Sequence, residues 1–139
     1  MDVQVNWLAV LLATASSMVV GGIWYAKPVL GRVWMKHAHI TAKQMQKGNA
    51  KAMIITVALS FFTAFALAHV IFLANTFFGN SFLHDAVTTA FWLWLGLTAA
   101  RFITHDLFER RPIELTLLNV FHEFVTIMVM AVVIGLFKP

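Results

Sequence analysis

The sequence predicts an all-α fold, an integral membrane bundle of four transmembrane helices with a short interfacial helix after the first. Three observations predict it. The 139 residues are 60% apolar and 12% charged, where soluble domains run near roughly half apolar and a quarter charged. The mean hydropathy, +0.81, points the same way. Charged residues also cut the chain into long apolar runs and gather in the connections between them. This composition excludes a soluble enzyme, a disordered tail and a secreted disulfide scaffold. The absence of cysteine removes thiolate metal sites and cysteine nucleophiles. A length of 139 residues is that of one domain, 1–139.

Residues 3–26, 52–84 and 86–100 carry no charge, and after Glu114 only Glu123 interrupts the run to Lys138. A helix needs about 20 residues to cross about 30 Å of hydrocarbon. The spans therefore fall near 4–26, 53–78, 85–105 and 114–137. Arg101 lies close enough to the end of the third span to snorkel. The first span is too long for a signal peptide, and its leading segment has Asp2 and no basic residue, so it is expected to be retained.

Orientation follows from the connections. Lys27, Arg32, Lys36, Lys43, Lys47 and Lys51 lie between spans one and two with no acidic residue among them. Arg101, Arg110 and Arg111 lie at or beyond the end of span three, on the same side, and only Lys138 is elsewhere. The excess of ten Lys and Arg over six Asp and Glu thus reads as membrane connections, not as a nucleic-acid surface. The positive-inside rule puts both basic connections in the cytoplasm, with the two termini and the Gly79–His84 turn outside.

The first basic connection has its own pattern. Trp24 and Tyr25 stand where an interfacial aromatic belt is expected. After Pro28, Val29, Leu30, Val33 and Trp34 recur at helical spacing beside Arg32 and Lys36, the pattern of a short helix in the headgroup layer. Lys27, Arg32, Trp34 and Lys36 are its candidate lipid-headgroup contacts, each cation worth about 1 kcal/mol beside anionic lipid. Thr41 and Gln44 make a capping box for a second short helix ending near Gly48.

Lipid gives no hydrophobic drive between helices, so small residues that permit close approach carry the packing signal. Ala9, Ala13, Ser17 and Gly21 form one stripe, and Thr56, Ser60, Ala64 and Ala68 another. They predict a tight antiparallel hairpin of the first two spans. Span three offers Gly96 and Ala100, span four Ala131 and Gly135. The aromatic run Phe91–Leu95 is a candidate subunit interface.

Ionisable groups in hydrocarbon are expensive unless paired or neutralised. Glu123 lies about 13 Å beyond Glu114 at 1.5 Å per residue, in line with Asn119, Ala131 and Gly135 on a face expected to look into the bundle. It is either a proton or cation site or a packing carboxyl, with Thr126 as a hydrogen-bond partner. His122 is rotated by about 100° and is expected to meet another neighbour. His69, between Thr63 and Asn75, is a further intramembrane polar candidate. Arg101, His105, Asp106, Glu109, Arg110 and Arg111 form a mixed-sign cluster at the cytoplasmic face. His37 and His39 are a weak metal pattern that their cationic neighbours disfavour. Gly-rich phosphate loops, zinc-helix motifs and nucleophile elbows are lacking, so no cofactor and no metal are expected.

Asn6-Trp7-Leu8-Ala9-Val10, then Gly22-Ile23-Trp24-Tyr25 with Gly31, Trp34 and Met35, resemble a family of small bacterial membrane proteins. It is the one known as domain of unknown function 1761. Lys47-Gly48-Asn49-Ala50, Leu107-Phe108-Glu109, Arg111-Pro112, Val129-Met130 and Ile134-Gly135 extend the likeness over nearly the whole chain. The resemblance implies a four-helix domain, a bacterial inner-membrane setting and no established activity. His122-Glu123 departs from the aromatic and uncharged pair expected there. The function read from all this is a non-enzymatic, self-associating scaffold or accessory bundle. Its partners would be the lipid bilayer and either further copies or another membrane protein. One alternative is a small transporter or channel component using Glu123; another is a membrane enzyme with a cytoplasmic-face site at His105, Asp106 and Glu109.

Overall fold

The computed structural model describes residues 3–139; Asp2, which bears on how the leading segment is read, lies outside them. Four helices are long and apolar enough to cross a membrane, at Trp7–Trp24, Ala50–Phe78, Phe82–Phe108 and Ile113–Leu136. Among the described residues there is no strand. The all-α bundle expected from composition and charge spacing is the fold observed.

Each boundary has a chemical cause. Helix α1 (Trp7–Trp24) starts at Asn6, whose side chain accepts the Ala9 N–H at 3.1 Å and satisfies one of the orphan donors of the first turn. The Asn6 amide also donates to the Phe137 carbonyl at 3.2 Å, tying the two ends of the chain together. After α1 a π-helical turn, Lys27–Gly31, leads into α2 (Arg32–His37). Gly31 is buried here because a Cβ would run into the carbonyls of Tyr25 and Ala26. Helix α3 (Ala42–Lys47) carries the expected Thr41–Gln44 capping box and stops at Gly48, whose φ is 65°. Asn49 caps α4 (Ala50–Phe78), which ends on left-handed Gly79. Ser81 caps α5 (Phe82–Leu93), and Pro112 precedes α7 (Ile113–Leu136).

The third long helix is not regular. Between α5 and α6 (Ala100–Phe108) lies a π-helical turn, Trp94–Ala99. The positions it turns inward run Ala86, Ala90, Trp94, Ala99, Ile103 and Asp106. In a regular α-helix Asp106 would stand about 120° from the Trp94 face; one extra residue held in the π turn cuts that to about 20°. The expected packing residues are not used, since Gly96 and Ala100 stand about 200° and about 120° from the inward Trp94 face even in a regular helix. Gly96 faces open space and Ala100 is exposed, while Ala86, Ala90 and Ala99 are buried. The Phe91–Leu95 run divides too: Trp94 turns inward, donating to the Val120 carbonyl at 3.1 Å, and Trp92 is 67% exposed.

The four long helices form a ring in which α7 packs most extensively, on α1 and on α5, and α4 closes it against α1 and α5. Consecutive long helices are neighbours, which the short turns at 79–81 and 109–112 require and the longer connection at 25–49 permits. Small residues set the closest approaches: Gly135 faces Leu83 and Ala86, and Ala131 is fully buried in the same cluster as Ala90. Outward faces are apolar, with Ile54, Leu59, Phe62 and Leu97 all exposed, which suits a hydrocarbon surround.

Candidate functional site

The two small-residue stripes meet over only part of their length. Ala9 and Ala13 of α1, and Ala64 and Ala68 of α4, are buried in one core cluster or beside it. Toward the basic connection the two helices diverge. Every residue of α4 before Ser60 is exposed, and all its buried residues lie between Ala64 and Ile71. The remaining stripe residues, Ser17 and Gly21 on α1 and Thr56 and Ser60 on α4, instead line a cavity of about 570 Å³. The expected full-length hairpin is thus a V, because small side chains permit close packing without enforcing it. The third wall is α7, through His122, Glu123, Thr126, Ile127 and Met130, and Met45 and Asn49 edge the mouth.

Glu123 and His122 both belong to this cavity. Their side chains converge although their Cα atoms are about 100° apart on the helix: His122 Nδ1 lies 3.3 Å from Glu123 Oε1, within ion-pair reach. The Glu123 side chain is 35% exposed and that of His122 14%. Thr126, expected to partner Glu123, places its hydroxyl 3.5 Å from His122 Nε2. The imidazole packs edge-on to Trp24 and tilted against Tyr25, with ring centroids 5.9 and 4.9 Å away. Tyr25 in turn donates its hydroxyl to Asn119 Oδ1 at 3.2 Å and packs edge-on against Trp34. Asn119 therefore orients Tyr25, Tyr25 backs His122, and His122 touches the carboxylate. The indole N–H of Trp24 is buried beside them without a hydrogen-bond partner.

Three of the hydroxyls around the cavity are directional. Ser17 donates to the Thr14 carbonyl at 2.7 Å, Thr56 to Ala52 at 2.8 Å, and Thr63 to Leu59 at 3.0 Å. With their protons committed to the helix backbone, these oxygens can offer only lone pairs to anything in the cavity. Together with the carboxylate they place acceptors along the interior. No Lys or Arg among the described residues lines it.

His69 stands apart from this group. Its Nδ1 lies 2.9 Å from the Phe65 carbonyl and its ring packs edge-on against Phe65, so its polar atom is satisfied on its own helix. At the basic end of α6, Asp106 is buried rather than solvated. It accepts from the Thr116 hydroxyl at 2.7 Å and lies 3.6 Å from Arg111 Nε, which also pairs with Glu109 at 2.6 Å. The Arg111 N–H donates to the Asp106 carbonyl at 2.9 Å. These bonds lock the α6–α7 turn, in which Arg110 takes a φ of 54°. Arg101 and His105 are exposed along a groove of about 550 Å³ whose other residues, apart from Arg111, all come from the same helix face or its end. Lys27, Arg32 and Lys36 are exposed, and Trp34 is half-buried against Tyr25. Among the described residues no group of three or more His, Cys, Asp or Glu could hold a metal ion.

Sequence reasoning treated Asp85 only as a boundary between spans, yet it is 2% exposed and accepts from Asn75 at 2.7 Å and Asn80 at 2.9 Å. The available signal was two asparagines flanking a turn at five-residue steps before a carboxylate. A second signal, the small-residue stripes, was present but could not distinguish a packed seam from a cavity wall.

Four candidate membrane-spanning helices, three of which line one cavity, define the class, an all-α multi-pass membrane bundle. The chain belongs to the family described as protein of unknown function (DUF1761), whose model matches residues 8–135, nearly the whole chain. No curated protein and no solved structure matches it.

Proposed function

We propose that this chain is a small membrane transport component that receives a solute between α1, α4 and α7, with Glu123 as the binding carboxylate. One observation carries the reading: a carboxylate within the spanning region is left 35% exposed and faces a cavity instead of being enclosed by donors. A packing carboxyl would look like Asp85 or Asp106, each buried and hydrogen-bonded. Ionisable groups retained within a bilayer mark solute and proton paths. The asymmetry of Lys and Arg supports an inner-membrane orientation with both basic connections cytoplasmic, so that the cavity mouth opens to the cytoplasm.

The chain has no cysteine, so single thiols report on access without background. In sealed membranes Ser60→Cys should react with a charged, membrane-impermeant thiol reagent from the cytoplasmic side, while Ala131→Cys, fully buried in the core, should not. Lack of reaction at Ser60→Cys from either side would mean a dry or lipid-filled cleft and would overturn the reading.

A second reading, a self-associating scaffold or accessory, is favoured by Trp92, which stands 67% exposed beside exposed Phe91 and Leu95 on one flank of the third long helix. A cross-linker incorporated at Trp92 should trap a second copy in membranes if that flank is an interface, and lipid alone if it is not.

A further inference from the structure

We infer that the cavity takes a lipophilic organic monocation, an inference that rests on the transport reading of the same site. The charge comes first. Glu123 is the acidic group of the lining, three of the lining hydroxyls, Ser17, Thr56 and Thr63, have lone pairs but no free proton to offer, and the lining lacks Lys and Arg among the described residues. An anion would meet a carboxylate with no Lys or Arg to offset it. A cation meets complementary charge.

The kind of cation follows from the rest of the wall. Small inorganic cations such as calcium need about six to eight oxygen ligands close around them, and no group of three or more His, Cys, Asp or Glu that could hold a metal ion exists among the described residues. A single carboxylate beside one imidazole does not make such a shell, and the walls are mainly apolar. Met18, Met45, Met53 and Met130 reach the cavity from α1, α3, α4 and α7, four different elements. Methionine is flexible and polarisable, and surfaces built from it adapt to ligands of varied shape. Tyr25 adds an aromatic ring, which attracts a cation through its π face. The volume, about 570 Å³, lies within the roughly 300–1,000 Å³ range of small-molecule pockets. A bulky organic cation can leave water with little penalty, pair with one carboxylate and fill an apolar space. A compact hydrated ion cannot. His122 then serves as the resting partner of Glu123, which an incoming cation displaces.

The test uses the whole chain in lipid nanodiscs, with dicyclohexylcarbodiimide as an apolar carboxyl reagent and tetraphenylphosphonium as the probe cation. Peptide mass spectrometry reads the modification at Glu123. Labelling that is slowed at least about fivefold by saturating tetraphenylphosphonium, but not by the isosteric anion tetraphenylborate, supports the inference. Labelling unaffected by the cation, or slowed equally by both ions, overturns it and leaves the cavity reading standing. No labelling overturns the cavity reading itself, since the carboxyl would then be closed. In direct binding, Glu123→Gln should weaken saturable tetraphenylphosphonium uptake by about thirtyfold or more, the effect of removing one member of a desolvated charge pair. Equal binding by wild type and variant refutes the role of the carboxylate, and the labelling experiment remains decisive if the variant does not fold.

Discussion

Adding one methyl group at Gly135 should push α5 and α7 apart. A Cβ there would sit 2.8 Å from Leu83 Cδ1, 3.0 Å from Leu83 Cα and 3.1 Å from Ala86 Cβ. Carbon atoms pack best at about 3.5–4.0 Å. The Leu83 methyl can swing aside, but the Cα and the Ala86 Cβ move only with the helix, so α5 must retreat by about half an ångström over one turn. Overpacking of this kind costs about 1–3 kcal/mol. The better helix propensity of alanine returns up to about 1 kcal/mol. Gly135→Ala is therefore expected to lose about 1 kcal/mol net, and up to about 2. Gly22 supplies the control, because a Cβ there meets nothing within 4 Å. Gly22→Ala should be neutral or gain up to about 1 kcal/mol from propensity alone. Reversible unfolding in mixed detergent micelles, followed by tryptophan fluorescence, measures both. Equal stability of the two variants, or a Gly135→Ala protein as stable as wild type, would refute the close packing of α5 on α7.

Two further outcomes follow from the same geometry. Deleting Gly96 should convert the π turn to regular α-helix and leave Asp106 facing Thr116, whereas deleting Thr88 from α5 should swing the preceding face by about 100° and unfold the helix pairing; melting temperatures of the two deletions, near wild type for the first and far below for the second, check this. Asp85→Ala should lower the melting temperature clearly, because the Asn75 and Asn80 amides lose their shared acceptor, while Glu114→Ala, at an exposed position, should change stability by about 0.5 kcal/mol at most; equal effects in thermal unfolding would contradict the buried role of Asp85.

Much of the architecture was legible because the bilayer imposes it. Uncharged runs long enough to cross hydrocarbon had to become helices, since no other segment can satisfy its backbone there. Local chemistry was legible as well: the Thr41–Gln44 box and the stop at Gly48 formed as read. Glu123 could be singled out as a costly intramembrane group, but its company could not. The His122 ring reaches across about 100° of helix to meet it, a matter of rotamers set by Trp24 and Tyr25. The π turn left no trace in composition, because an i→i+5 bond asks for no special residue type, and the four-residue spacing of Gly96 and Ala100 did not tell which face of the helix would be buried.

What residue order settled here is whatever depends on transfer between water and hydrocarbon: the number of long helices, their limits and the clustering of cations in two connections. Those are properties of each segment alone. Whether a stripe of small residues closes or stands open depends on where neighbouring helices come to rest, and the same Ser17, Gly21, Thr56 and Ser60 would serve either outcome. The cavity, the meeting of His122 with Glu123 and the burial of Asp85 and Asp106 exist only once α7 has packed between α1 and α5. Packing is a relation among segments, and no single segment contains it.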